Sequence, residues 1–250
     1  MKTITEVYDD YLIVINLQEH QRRVAAVAKL IAENFSGELD RNGVIEAALL
    51  HDMGNIIKFN QDHFREGKEL DDETFLANMK SYWLTTFGPN EDSAEIFVNS
   101  LRRHGRDYWI RVKADFKAKY GSDEHAATLV IAQELGRSPA TISYLQNVGF
   151  DKLDTTVASE SFEQKICAYA DMRVAINGVT TIAERLNDAR RRYQGSAHSI
   201  VSARYERLEK ALYDIEEQIQ ARTNIALSSI SDETVIPQME ELKGYTLSEA

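Results

Sequence analysis

Two histidines and two aspartates stand among apolar neighbours at helical spacing in this sequence. His20 lies four residues before Val24, on a stripe that continues through Val27, Ala28 and Ile31. His51 continues the steps Val44, Ala47 and Ala48, with Asp52 beside it, and Asp171 shares a helix side with Cys167 and Val174. A buried charge without compensation is very costly, so each of these groups needs a partner. Taken singly, each reads as an ordinary core residue satisfied by hydrogen bonds. Taken together, one divalent cation would compensate all of them. Two imidazoles and two carboxylates form a mixed nitrogen and oxygen donor set suited to Mn, Fe, Co, Ni or Zn, and less to Ca or Mg. Such a metal lowers the pKa of a bound water and polarises a phosphoryl oxygen, so phosphoester hydrolysis needs no separate nucleophile. Cys167 then reads as a small buried apolar residue.

The elements that must position these groups are helices. With 3 prolines and 12 glycines in 250 residues, long stretches keep apolar residues at steps of three and four, and strand signals are nearly absent. The spacing predicts one helix over about Leu17 to Phe35 and a second through Val44 to His51, broken by Gly54. A third begins at a Ser122 cap and ends near Leu135 and Gly136, and a fourth carries Phe162 to Val174 and ends near Asn177 and Gly178. From Val201 to Arg222, Tyr205, Leu208, Leu212, Ile215 and Ile219 form a short heptad-like stripe that docks on the core or on a second copy of the chain. The first of these alternatives is slightly favoured, because the run is only about two repeats long.

Domain organisation follows from the same pass. Residues 1–195 read as one metal-binding domain, in which about 60–121 is an insertion of shorter helices marked by Gly88-Pro89. Residues 196–225 read as a C-terminal amphipathic helix, and 226–250, with scattered apolar residues, as a tail partly ordered at best.

Composition narrows the partners. Hydrophobic residues at 43% and charged residues at 28% are globular usage, so the chain is expected to fold. A formal net charge of -11 makes a nucleic-acid polymer a poor partner, while leaving room for a locally basic cleft that takes small anions. One cysteine excludes an intrachain disulfide, no leader-like segment opens the chain and no apolar run spans a membrane, so a cytoplasmic protein is expected.

The order of these groups carries a resemblance. The segments Glu19-His20-Gln21-Arg22-Arg23-Val24, Ala47-Ala48-Leu49-Leu50-His51-Asp52-Met53-Gly54 and Ala168-Tyr169-Ala170-Asp171-Met172-Arg173 resemble the HD-domain superfamily of metal-dependent phosphohydrolases. The likeness covers roughly Leu17 to Tyr193 and leaves the tail unexplained. It implies an all-α fold, a helical bundle with a central metal site. It also implies that His20, His51, Asp52 and Asp171 are the ligands, with Asp52 catalytic. Many relatives place Lys or Glu three residues after the aspartate of the pair, where this chain has Asn55, so an acid or base comes from elsewhere or Asp52 suffices. Relatives with two metals add two further histidines; His125 resembles the first, and the region of Gln146 and Asn147 supplies no second. His104 is the alternative for that second ligand, though its polar setting reads more readily as that of a surface histidine.

A phosphate substrate needs positive charge beyond the metal. The candidates are Arg173, two residues after Asp171, Arg22 and Arg23 beside His20, and Lys58 after the pair. Arg173 has the best claim and reads equally as a solvated helix-face arginine. The run Arg190-Arg191-Arg192 reads as an exposed face paired with Glu184 and Asp188. The leading expectation is hydrolysis of a small phosphorylated molecule, most plausibly a nucleotide, by a monomer or homodimer. The alternatives are a non-catalytic nucleotide- or metal-binding regulatory module and, with less support, a two-iron oxygenase of the same superfamily.

Overall fold

The structure, a computed structural model, describes residues 2–58, 71–87, 90–175, 178–193 and 202–248. Among them the chain is helical almost throughout, as its apolar spacing requires. Helix α1 (Ile4–Asp10) starts with a capping box in which Thr3 and Glu6 satisfy each other's backbone amides. Helix α2 (Ile15–Glu33) buries Val24, Val27, Ala28 and Ile31 on the stripe that carries His20. Helix α3 (Arg41–Leu50) is capped by Asp40, whose carboxylate accepts from the Gly43 amide at 2.9 Å, and it delivers His51 at its C-terminal end.

The region expected as an insertion forms α4 (Asp72–Phe87), α5 (Glu91–Arg102) and α6 (Arg106–Tyr120) among its described residues. Trp83 and Phe97 stack there with ring centroids 4.5 Å apart, which ties α4 to α5. Helix α7 (Glu124–Glu134) is capped by Asp123 and not by Ser122, since the Asp123 carboxylate accepts from the Ala126 amide at 2.8 Å. Helix α8 (Pro139–Gln146) carries proline at its first turn, where no amide is needed. Helices α9 (Leu153–Ala158) and α10 (Phe162–Met172) follow, and α10 lies against α2, α3, α8, α9 and α12 (Ser202–Gln220). That central place is why Ile166 to Ala170 are wholly buried.

After α10 the chain makes a minimal antiparallel hairpin, β1 (Val174–Ala175) with β2 (Gly178–Val179), and then α11 (Ile182–Tyr193). Helix α10 thus stops at Met172, short of the expected end near Asn177 and Gly178, because Val174 and Ala175 pair as a strand with Gly178 and Val179; Asn177 itself lies outside the described residues. On α12, Leu208, Leu212, Ile215 and Ile219 are all fully buried within the chain, so the stripe is covered by the chain's own α9 and α10.

The last segment corrects an expectation. Residues 226–248 are not a loosely ordered tail: α13 (Asp232–Leu242) packs along α2, and Leu227, Ile230, Val235, Leu242 and Leu247 are buried. The Ile4 amide donates to the Tyr245 carbonyl at 2.8 Å, which closes the C-terminal segment on α1. Glu46, 2% exposed, pairs with Arg137 at 2.9 Å and accepts from the Ser248 amide and hydroxyl, each at 2.7 Å. The apolar residues of this segment showed no stripe because they meet several different partners, not one flat face. Among the described residues, no helix is long and apolar enough to cross a membrane.

Candidate metal centre

Three helices bring four side chains to one point. His20 projects from the second turn of α2, His51 and Asp52 from the C-cap of α3 and the residue after it, and Asp171 from the last turn of α10. Asp171 Oδ1 lies 3.5 Å from His20 Nε2 and 3.6 Å from His51 Nε2, while Asp52 Oδ2 lies 4.0 and 3.8 Å from the same two nitrogens. Donors bound at about 2.0 to 2.2 Å to one tetrahedral ion stand about 3.3 to 3.6 Å apart. Two of the four separations fall in that window and two slightly exceed it.

The local hydrogen bonds aim these groups. His51 Nδ1 lies 2.8 Å from the Ala48 carbonyl, an acceptor, so that nitrogen carries the proton and Nε2 is left facing the carboxylates. That Nε2 is buried and has no hydrogen-bond partner among the described residues. The Asn55 amide donates to Asp52 Oδ2 at 3.0 Å, and the Asp52 backbone amide donates to Gln21 Oε1 at 3.3 Å. Gly54 allows the turn after the pair to touch α7. A Cβ there would stand 2.1 Å from the Glu124 carbonyl oxygen, and the Gly54 amide donates to Thr128 Oγ1 at 2.9 Å.

The electrostatics match a cation site without a cation. Burial pushes the His51 imidazole down, but the charges of Asp52 and Asp171 outweigh it and raise its pKa to about 9. Burial pushes the Asp171 carboxyl up, and the two imidazoles reverse this and hold it well below the usual carboxylate range. The unpartnered His51 nitrogen and the mixed donor set fit a divalent ion.

The cluster opens into a cleft of about 1920 Å³ that also bears the sequence-derived cations unequally. Arg23 and Lys58 line it, Arg23 beside Asp232 at 3.4 Å and Lys58 beside Glu124 at 2.8 Å. Arg22 and Arg173 do not, which corrects their assignment to substrate. Arg22 is buried, its Nη1 3.4 Å from Gln18 Oε1 and its guanidinium over the Tyr8 ring. Arg173, 3% exposed, donates to the carbonyls of Thr180, Leu227 and Ile230 and to Tyr169 Oη, so every nitrogen of its fork is spent on the fold. His125 lines the cleft without joining the cluster of His20, His51 and Asp52, whose donor atoms lie within 4.8 Å of one another. His104 is exposed and stacks on Tyr108 at 4.3 Å.

Sequence reasoning missed the wall formed by α11 and α12. Arg185, Arg190, Arg191 and Arg204 line the cleft, and a lone charged helix face gives no signal of which side it presents.

A family model for the HD domain matches residues 17–142, just over half of the chain, and spans three of the four clustered groups. No curated protein and no solved structure matches the chain.

Proposed function

We propose that this chain, which belongs to the HD-domain family of a metal-dependent hydrolase superfamily, hydrolyses the phosphate ester or anhydride of a small molecule, a nucleotide being the best-suited class. In this reading His20, His51, Asp52 and Asp171 hold one divalent ion. The observation that carries it is the convergence of two imidazoles and two carboxylates from three helices, with the buried His51 Nε2 lacking a hydrogen bond among the described residues and facing both carboxylates, a donor set that suits a divalent ion.

A bound divalent ion supplies a water of lowered pKa and polarises the phosphoryl oxygen. The chain's own groups do the rest. Asp52 Oδ2 is held by the Asn55 amide, which fixes the carboxylate facing both imidazoles. Arg23 and Lys58 supply charge to the substrate anion from two sides of the cleft. Tyr82, Trp83 and Phe150 give the same cleft an aromatic lining against which a nucleobase can stack.

A regulatory module that binds without turnover is the second reading, favoured by the neutral amide of Asn55 beside Asp52. A two-iron oxygenase would need two further imidazoles; among the described residues only His125 joins His20 and His51 in lining the cleft. Metal analysis of the purified protein, then phosphate release from a panel of nucleotides with each of Mn, Fe, Co, Ni and Zn added back, decides between turnover and binding. Asp52→Ala is expected to remove phosphate release while the helical circular dichroism spectrum persists; turnover that survives in this variant contradicts the reading.

A further inference from the structure

The cleft has a feature that the metal cluster does not use. Arg185, on the first turns of α11, lines it with its side chain only 19% exposed, and its Nε is buried without a hydrogen-bond partner among the described residues. The nearest acid, Asp188, lies 3.9 Å from Nη1, beyond hydrogen-bond length, and is engaged by Arg191 at 2.9 Å. A buried guanidinium N–H left unsatisfied is costly, and the planar fork of arginine suits the oxygens of a phosphate.

The surroundings of Arg185 are cationic. Lys152, Arg190, Arg191 and Arg204 line the same cleft from the turn before α9, from α11 and from α12. Their own partners are exposed or half-buried acids and a backbone carbonyl, and Arg191 pairs with Asp188. Lys152 pairs with Asp151 at 3.3 Å, Arg190 with Glu209, and Arg204 lies 3.4 Å from the Asp151 carbonyl. Such pairs are weak and exchange readily for a multivalent anion. Together with Arg185 these cations concentrate positive charge in a chain of net charge -11, set against the acids Asp151, Asp188 and Glu209 that pair with them. Among the described residues none of the five forms an ion pair with Asp52 or Asp171.

We infer that Arg185 is the centre of a second anion subsite in the cleft, and that the substrate bears at least two phosphates, one at the metal cluster and another on Arg185. The inference deepens the proposed phosphohydrolase reading and rests on it for the identity of the anion. It narrows the substrate class to compounds with a chain of phosphates, such as a nucleoside di- or triphosphate.

Calorimetry on the metal-depleted full chain separates the two. Inorganic tripolyphosphate is expected to bind the metal-free protein more tightly than inorganic phosphate does, and Arg185→Gln to weaken tripolyphosphate at least about tenfold. Arg185→Lys keeps the charge and loses the fork, and a several-fold loss is expected there too. Unchanged affinity for tripolyphosphate in whichever of these variants folds, or no preference over phosphate in the unaltered protein, overturns the subsite. Because the measurement uses neither metal nor turnover, failure of the hydrolase reading would leave a positive binding result standing.

Discussion

The side-chain amide of Asn55 donates to Oδ2 of Asp52 at 3.0 Å, and that is the oxygen turned toward both imidazoles. Asn55 is thus a positioning residue for a proposed ligand. Asn55→Ala is expected to lower the affinity for a divalent transition metal by about 10- to 100-fold, the usual cost of losing a hydrogen bond behind a ligand. Titration with Mn(II) followed by calorimetry reads this directly. An affinity within twofold of the unaltered protein would mean that Asp52 is held without it.

The metal-free protein should carry its charge state as a stability profile. His51 is raised from its ordinary 6.5 to about 9, so its contribution is fully present below about pH 6.5 and is lost as pH rises through 9. Asp171 is lowered below its ordinary 3.8, so its contribution is present above that value and lost as pH falls through its folded-state pKa. Melting temperature after chelation should therefore fall between pH 6.5 and 9, and His51→Gln should flatten that fall. The same fall in the His51→Gln protein would assign it to other groups.

Arg173 predicts a stability effect where a substrate arginine predicts a binding effect. Arg173→Met takes the guanidinium donor from the carbonyls of Thr180 and Ile230 and one of two donors from that of Leu227, which also accepts from the Ile230 amide at 3.3 Å. A loss of about 3 kcal/mol is expected, with Lys unable to restore it because one ammonium cannot span three carbonyls and a phenol. Urea unfolding measures the loss. Unchanged stability with a raised KM would return Arg173 to the substrate.

Leu212 tests how α12 is used. It is fully buried against the chain's own core, so Leu212→Ala should cost about 2 to 5 kcal/mol. Light scattering should give the same mass for the variant and the unaltered protein. A lowered mass with unaltered stability would instead place this stripe between two copies.

Much of the site was legible because ligands on helices obey the helical period. His20, His51 and Asp52 sat on apolar stripes at steps of three and four, and α2 and α3 carry them inward as those stripes require. The same geometry explains two errors. Arg22 and Arg173 each follow a clustered residue by two positions, about 200° around a helix, and so point away from it. Arg23 follows His20 by three and lines the cleft. Arg185 was not legible, because its role depends on where the hairpin after α10 directs α11, and two residues of β1 paired with two of β2 are too few to leave a strand pattern. Residues 226–248 were misread for a related reason: their burial is set by α1, α2 and the Glu46 to Arg137 pair, all far away in sequence.

The clamp that joins Arg173 to the carbonyls of Leu227 and Ile230, and Ile4 to Tyr245, sets the order in which a nascent chain can mature. Synthesis at about 5 to 20 residues per second leaves roughly ten seconds or more between the emergence of α2 and that of its cover, α13. Through that interval the buried faces of α1 and α2 are open to solvent and to other nascent chains, and contacts this distant in sequence close slowly. The faces of α1 and α2 that this segment covers therefore wait on translation of α13 and the residues after it, and a ribosome stalled short of them would present those faces as a substrate for holding chaperones.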